Sequence, residues 1–281
     1  MVFSPSNQSQ FSDAEYGLFR QFLEKSCGIL LGDNKNYLID SRLRKLLKDN
    51  EMQTLGQLLK EIERPGSPRL RQQVIDAMTT NETLWFRDRH PFEYLQSSLL
   101  PDLAKSPGDI NIWCAACSTG QEPYSISICV EELRRKNFSI SNKNVRILAT
   151  DISGRVLDVA RRGLYEPLQL KRGMSDDRLD LYFKHDNEGA WEVNQEIKRR
   201  IEFRQINLKD SFINVGKFDV VFCRNVLIYF SGDLQKQIIT NIHRVLNPGG
   251  HLFLGGSETP KGLNELFDIR YYTPGVVYVK K

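Results

Sequence analysis

From Ile110 onward, short β-rich runs alternate with amphipathic helical ones, and this alternation constrains the fold more than any other feature of the chain. "INIWCAA" reads as a buried strand. "EPYSISICVEELRRK" reads as a helix with Pro123 in its first turn, where the missing N–H does no harm. "VRILAT" and "SGRVLDVARRG" repeat the pair. "IEFRQINL", "FDVVFCRN", "HLFLGG" and "GVVYVKK" supply further strands, and "LQKQIITNIHRVL" a helix closed by "NPGG". Such alternation predicts a mostly parallel sheet with helices on both faces. Ligands of such sheets sit outside the carboxyl ends of the strands, where the Thr119–Gly120 turn and Asp151 fall. One stretch breaks the pattern: "LYFKHDNEGAWEVNQEIKRRIEF" holds two extended runs around Asn187–Glu188–Gly189, which predicts an inserted β-hairpin over about 178–203.

The first 78 residues carry no strand signal and read as a small helical domain, followed by an α/β domain over 79–281. "FSDAE" is a helix start, with Ser12 as N-cap, Glu15 three residues later and Phe11 available to staple onto Tyr16. Leu18, Phe19, Phe22 and Leu23 then predict one apolar stripe. "NYLIDSRLRKLLKDN" predicts a second helix with Ile39, Leu43, Leu46 and Leu47 inward, "TLGQLLKEIER" a third, and "RLRQQVIDAMTT" a fourth.

Charge and composition exclude several classes. A net charge of +4 gives no strong nucleic-acid signal. No apolar run approaches the roughly 20 residues that cross a bilayer. The start, "MVFSPSNQSQ", lacks the basic and apolar parts of a secretory signal. The five cysteines are an odd number without scaffold spacing. A cytoplasmic protein without membrane insertion is expected.

Cys114 and Cys117 form a Cys-x-x-Cys that invites a metal or redox reading. A zinc site needs about four ligands, and no second pair exists, while His90, His185, His243 and His251 are scattered. A thioredoxin-type motif places its cysteines at a helix start, whereas these precede the turn. They read as small residues at a strand end that let a backbone approach a ligand, and no metal is expected.

A strand, a small-residue turn and a helix N-terminus make a nucleotide-like pocket. The G-x-G-x-x-G fingerprint is absent, because Gly120 is followed by Gln121 and Glu122. A glutamate there suits an ammonium group better than a pyrophosphate. Asp151 can accept hydrogen bonds from two ribose hydroxyls. A nucleoside with an amino group and no phosphates describes S-adenosylmethionine. The plain alternative for both acids is helix capping, worth about 0.3–1 kcal/mol.

"TTNETLWFR" (79–87), "CSTGQEPYS" (117–125), "ATDIS" (149–153) and "FCRNVLIYF" (222–230) occur in that order. Together they resemble the chemotaxis receptor methyltransferase family of the CheR type, over nearly the whole chain. The resemblance implies a Rossmann-like S-adenosylmethionine-dependent methyltransferase sheet, a small N-terminal helical domain that recognises the receptor, and an inserted antiparallel β-subdomain. It implies methyl transfer from S-adenosylmethionine to glutamates of chemoreceptors, giving methyl esters and S-adenosylhomocysteine. By the match, Asn81 and Thr83 are cofactor contacts and Arg87 faces the methionyl end. Glu122 faces the cofactor amino group, and Asp151 binds the ribose. Asn207 and Leu208 lie near the adenine, and Arg224 and Asn225 lie beside the cofactor. Arg87 and Tyr229 are the candidates for holding the acceptor oxygen. For Arg87 the alternative is a surface ion pair, and for Asn207 an ordinary strand end.

The resemblance further implies a monomer whose partner is the cytoplasmic helical domain of chemoreceptors. Between Asn34 and Asn50 lie five basic residues and two acidic ones, a face able to steer an acidic bundle, or simply a solvated one. Some family members bind a receptor tail peptide on the inserted hairpin. The compact turn "HDNEGAW", with Asp186 and Glu188 opposing a terminal carboxylate, predicts no tight binding of such a tail here. Three other classes remain: a nucleic-acid methyltransferase, a catalytically inactive S-adenosylmethionine-binding scaffold, and a nicotinamide dehydrogenase, the last disfavoured by the missing glycine fingerprint.

Overall fold

The computed structural model describes residues 10–136, 138–185, 189–260 and 262–281. Their contacts divide into two units: residues through Thr80 with Tyr229–Ser231, and Asn81–Ile228 with Gly232–Lys281.

The first unit consists of helices α1 (Asp13–Cys27), α2 (Asn36–Asp49), α3 (Leu55–Ile62) and α4 (Pro68–Met78). Ser12 and Glu15 close a reciprocal capping box at the start of α1, and the Phe11 ring meets Tyr16 edge-on at 5.8 Å. Gly28 ends α1 in the left-handed conformation at φ 78°. Tyr16, Phe19, Phe22, Leu23 and Cys27 are buried, whereas Leu18, expected inward, is 56% exposed. Two residues correspond to about 200° of helix, so Leu18 points away from the face that Tyr16 buries. In α2, Ile39, Leu43 and Leu47 are buried and Leu46 is half-buried. Arg42 turns back onto the end of α4, with Nη1 donating to the Met78 carbonyl at 2.7 Å and Nη2 to Thr80 Oγ1 at 3.0 Å. It thereby satisfies a carbonyl that the last turn of α4 leaves unpaired. Arg44, Lys45 and Lys48 stay exposed.

The second unit is built on a seven-stranded sheet. Its strands are β1 (Ile110–Ala115), β2 (Val145–Asp151), β6 (Ile201–Gln205), β7 (Phe218–Cys223), β8 (Leu246–Leu254), β9 (Phe267–Tyr272) and β10 (Gly275–Lys280). Strands β3 (Leu164–Tyr165), β4 (Phe183–His185) and β5 (Trp191–Val193) form a separate sheet. The large sheet has the order β6-β2-β1-β7-β8-β10-β9. β6, β2, β1, β7 and β8 pair in parallel, while β10 is antiparallel to both neighbours. The main helices are α5 (Gln121–Lys136), α6 (Gly154–Arg162) and α7 (Gly232–Val245). The chain runs outward from β1 through β2 to β6 and returns to β7 on the other side of β1. The strand order therefore reverses between β1 and β7, which opens a crevice at their carboxyl ends.

β9 is absent from the sequence reading. It is an edge strand with Asp268, Ile269, Arg270 and Tyr271 all exposed, so its residues do not alternate. The inserted hairpin is present as β4 paired with β5, and the two-residue β3 adds a third strand upstream of the expected 178–203 span. β6 leaves that span to pair with β2 in the large sheet. Asp186 and Glu188, on which the tail-peptide expectation rests, lie outside the described residues.

Candidate functional site

Two strand ends and one strap of chain build the site. After β1, Ala116 and Ser118 adopt positive φ of 57° and 51°, and Gly120 follows at 98°. A Cβ on Gly120 would stand 3.0 Å from both Ala160 Cβ and the Tyr165 hydroxyl, so this turn closes only around glycine. The turn is held to β2, with Cys117 N donating to the Thr150 carbonyl at 2.8 Å. The two Asp151 carboxylate oxygens accept from Ser118 N and Ser153 N, each at 2.9 Å. Asp151 thus holds Ser153, the N-cap of α6, and fixes the β1 turn at once.

The strap is the segment from Asn81 to His90. Trp85, 1% exposed, anchors it by packing against Tyr165 at 4.9 Å and Phe183 at 5.4 Å between ring centroids. The Asn81 carbonyl accepts from Ser118 Oγ at 2.8 Å, and Phe86 N donates to Ser125 Oγ at 3.0 Å. Phe86, Asp88 and Arg89 all have positive φ. With Ala116, Ser118 and Asn225, they put most of the positive-φ non-glycine residues among the described residues around these strand ends, where backbone strain collects at functional sites.

Arg224, directly after β7, ties strap and turn together. Its Nη1 donates to Glu122 Oε2 at 2.7 Å, and its Nη2 to Asp88 Oδ2 at 2.6 Å and to the Arg87 carbonyl at 3.1 Å. The other Glu122 oxygen accepts from the Cys114 thiol at 3.1 Å. Burial first, then the Glu122 charge, pushes the Cys114 thiol well above its usual pKa, and burial with Asp151 does the same to Cys117. Both thiols are thereby held in the protonated form, which is unsuited to nucleophilic attack. Among the described residues no cluster of histidine, cysteine and acid side chains is arranged to hold a metal ion.

Of the sequence-predicted residues, Glu122 and Arg224 are in direct contact, and Asp151 and the Asn81 main chain are joined through Ser118. Asn225 adjoins Arg224 at φ 60°. The Arg87 guanidinium donates to the Glu82 carbonyl at 3.3 Å. Thr83 is half-buried on the strap. The Asn207 side chain accepts from Lys209 N at 3.1 Å, and Leu208 is buried. Their neighbour Ile206 donates to the Asp151 carbonyl at 3.0 Å, which brings the end of β6 to the end of β2. Tyr229 groups with the helical unit, where its carbonyl accepts from Leu30 N at 2.8 Å.

Two acids escaped the sequence reading. Asp88 lies one residue past the motif that ends at Arg87. Glu258 lies in "GGSETP", where paired glycines after a strand signal close backbone approach. A cavity of about 560 Å³ opens beside Arg224, lined also by Asp88, His90, Gly255, Glu258 and Tyr272. Burial and Arg224 hold the His90 ring below its usual pKa, and its Nδ1 lies 2.9 Å from the Tyr272 hydroxyl.

Comparison with known proteins gives one family over both units. The family "CheR methyltransferase, SAM binding domain" matches residues 81–276, and "CheR methyltransferase, all-alpha domain" matches residues 14–79. The chain is 48% identical over 269 residues to chemotaxis protein methyltransferase Cher2 of Pseudomonas putida, covering 95% of this chain and 98% of that one. It is 48% identical over 272 residues to chemotaxis protein methyltransferase 1 of Pseudomonas aeruginosa, covering 96% and 99%. It is 44% identical over 270 residues to chemotaxis protein methyltransferase 1 of Vibrio cholerae, covering 96% and 98%.

Proposed function

The chain belongs to the CheR methyltransferase family, and we propose that it methylates glutamate side chains of chemoreceptors, using S-adenosylmethionine and leaving S-adenosylhomocysteine. The observation that carries this reading is the charge balance at the strand ends. Arg224 is shared by Glu122 and Asp88, so the trio holds one net negative charge, and Asp151 adds a second at the next strand end. S-adenosylmethionine combines a sulfonium, an ammonium and a carboxylate, one net positive charge, with two ribose hydroxyls and no phosphate. The donor set fits that inventory and would repel a pyrophosphate.

In this assignment Glu122 receives the ammonium, Asp151 the ribose hydroxyls, and Arg87 the methionyl carboxylate by a paired guanidinium contact. Asn81, Thr83, Asn207, Leu208 and Asn225 line the rest of the cofactor. When bound, the cofactor supplies a methyl group on a positively charged sulfur. The acceptor glutamate is already ionised at neutral pH, with a reference pKa of about 4.3, so no general base is needed. The chain's task is to align the acceptor and exclude water, a contribution of roughly 7–11 kcal/mol in favourable cases. Arg87 and Tyr229 are assigned to the acceptor oxygen. The helical domain is assigned to receptor recognition, through the exposed Arg44, Lys45 and Lys48 of α2. The protein is assigned to the cytoplasm as a monomer. Among the described residues no helix is long and apolar enough to cross a membrane.

The test is methyl transfer from labelled S-adenosylmethionine to a receptor cytoplasmic fragment. Label released as methanol by mild alkali, with the modified residues mapped to glutamates, supports the reading. Alkali-stable label, or label on another residue type, contradicts it.

A further inference from the structure

Glu258 is 5% exposed, so its carboxylate needs partners inside the protein. It is filled by main-chain donors. Oε2 accepts from Gly255 N and Asn225 N, both at 2.7 Å. Oε1 accepts from Val226 N at 2.8 Å and Leu227 N at 2.7 Å. Three consecutive amides of the segment after β7 thus converge on one carboxylate, an anion nest whose anion is a side chain. Without it these amides, which lie at a strand exit and not in a ladder, are left buried and unpaired.

The geometry at this point is tight and specific. Asn225 sits at φ 60°, a region that non-glycine residues rarely occupy and that asparagine tolerates best. A Cβ on Gly255 would stand 2.7 Å from both Asn225 Nδ2 and Glu258 Oε2, so the carboxylate reaches its amides only because Gly255 is bare. The first captured amide belongs to the residue after Arg224, whose guanidinium links Glu122 to Asp88.

We infer that Glu258 is a positioning residue for the methyl transfer: its carboxylate fixes the backbone turn at Asn225–Leu227 that presents Arg224 and Asn225 to the cofactor. This rests on the proposed role of Arg224 and Asn225 beside S-adenosylmethionine. Glu258 acts through the main chain alone. It also lines the cavity beside Arg224, which gives a substituted side chain room.

Two variants and one wild-type measurement test it. In Glu258→Gln one oxygen still accepts from two amides while the new NH₂ faces two N–H groups. In Gly255→Ala the carboxylate is kept and the contact is forced apart. Both variants are expected to weaken S-adenosylmethionine binding at least tenfold by calorimetry. The cofactor KM should rise in step while the receptor-fragment KM moves less than twofold. In the wild type the amides of Asn225, Val226 and Leu227 should exchange with solvent as slowly as those inside β7, a measurement that stands even where a variant fails to fold. Unchanged cofactor affinity in both variants, an equal rise of both KM values, or loop-like exchange at these amides overturns the inference. A wild type that binds no S-adenosylmethionine overturns the functional reading itself, with slow exchange at these amides still marking the carboxylate as their anchor.

Discussion

Arg224 meets Glu122 at 2.7 Å through a side chain that is only 1% exposed, and the second arm of the same guanidinium holds Asp88. One buried cation therefore joins the segment after β7, the first turn of α5 and the strap.

Arg224→Met should destabilise the fold and abolish cofactor binding together. Removing one partner of a buried pair costs about 3–5 kcal/mol. Asp88 is 45% exposed, so the lower end applies. About 3 kcal/mol corresponds to a Tm fall of roughly 6–12 °C in a domain of this size. Arg224→Lys keeps the charge but cannot fork between two carboxylates. It should recover part of the Tm and little of the cofactor affinity, as read by calorimetry beside a thermal melt.

Asp151→Ala should show a double loss of a different kind. Its carboxylate already accepts from Ser118 N and Ser153 N, so truncation leaves two buried donors and costs about 1–3 kcal/mol of stability. A lost charged hydrogen bond to the ribose adds about 1.5–3 kcal/mol in binding, roughly ten- to a hundredfold in Kd. Asp151→Asn, with one acceptor left, should fall between wild type and Ala in both. Unaltered cofactor affinity in Asp151→Ala would remove it from the site.

These two residues mark what a sequence can and cannot convey. Glu122 and Asp151 were legible because strand–turn–helix punctuation places them at strand ends. Asp151's bond from Ser118 N was not, because it depends on Ser118 adopting a left-handed conformation that no residue pattern announces. Asp88 and Glu258 were missed for the same reason: each acts on a partner more than thirty residues away in sequence. β1, β2 and β7 were legible because each is a mostly buried apolar run. The exposed edge strand β9 and the two-residue β3 carry no such run and went unseen. Arg42 lies in the basic stretch between Asn34 and Asn50, and the bond its guanidinium makes to the end of α4 is not conveyed by composition.

His251 should make the fold acid-sensitive. It lies in β8 with both ring nitrogens buried and unpaired, and burial, aided by Arg270 and opposed by Asp102, lowers its pKa to about 4. The folded-state pKa lies below the unfolded value, so between them the unfolded chain takes up a proton that the folded chain refuses. Stability is full above about pH 6.5 and falls as the pH drops toward 4. At about 1.4 kcal/mol per unit, the loss at pH 5 relative to pH 7.5 is roughly 2 kcal/mol. Urea denaturation at both pH values should show a difference larger by that amount in wild type than in His251→Leu.

Receptor engagement should respond to α2 without involving the cofactor. Arg44→Glu with Lys48→Glu reverses two exposed charges and should raise the receptor KM severalfold, more at low salt than at high, because exposed charges are screened over about 8–10 Å. Cofactor Kd should stay within twofold. Receptor kinetics independent of salt and of these substitutions would assign recognition to another surface.

The most direct measurement is a crystal structure of the protein with S-adenosylhomocysteine. The account predicts the ligand at the carboxyl ends of β1 and β2, its amino group hydrogen-bonded to Glu122, its ribose hydroxyls to Asp151, and Arg224 still joined to Glu122. Density for the ligand elsewhere, such as in the cavity lined by His90 and Tyr272 with Glu122 and Asp151 untouched, would contradict it.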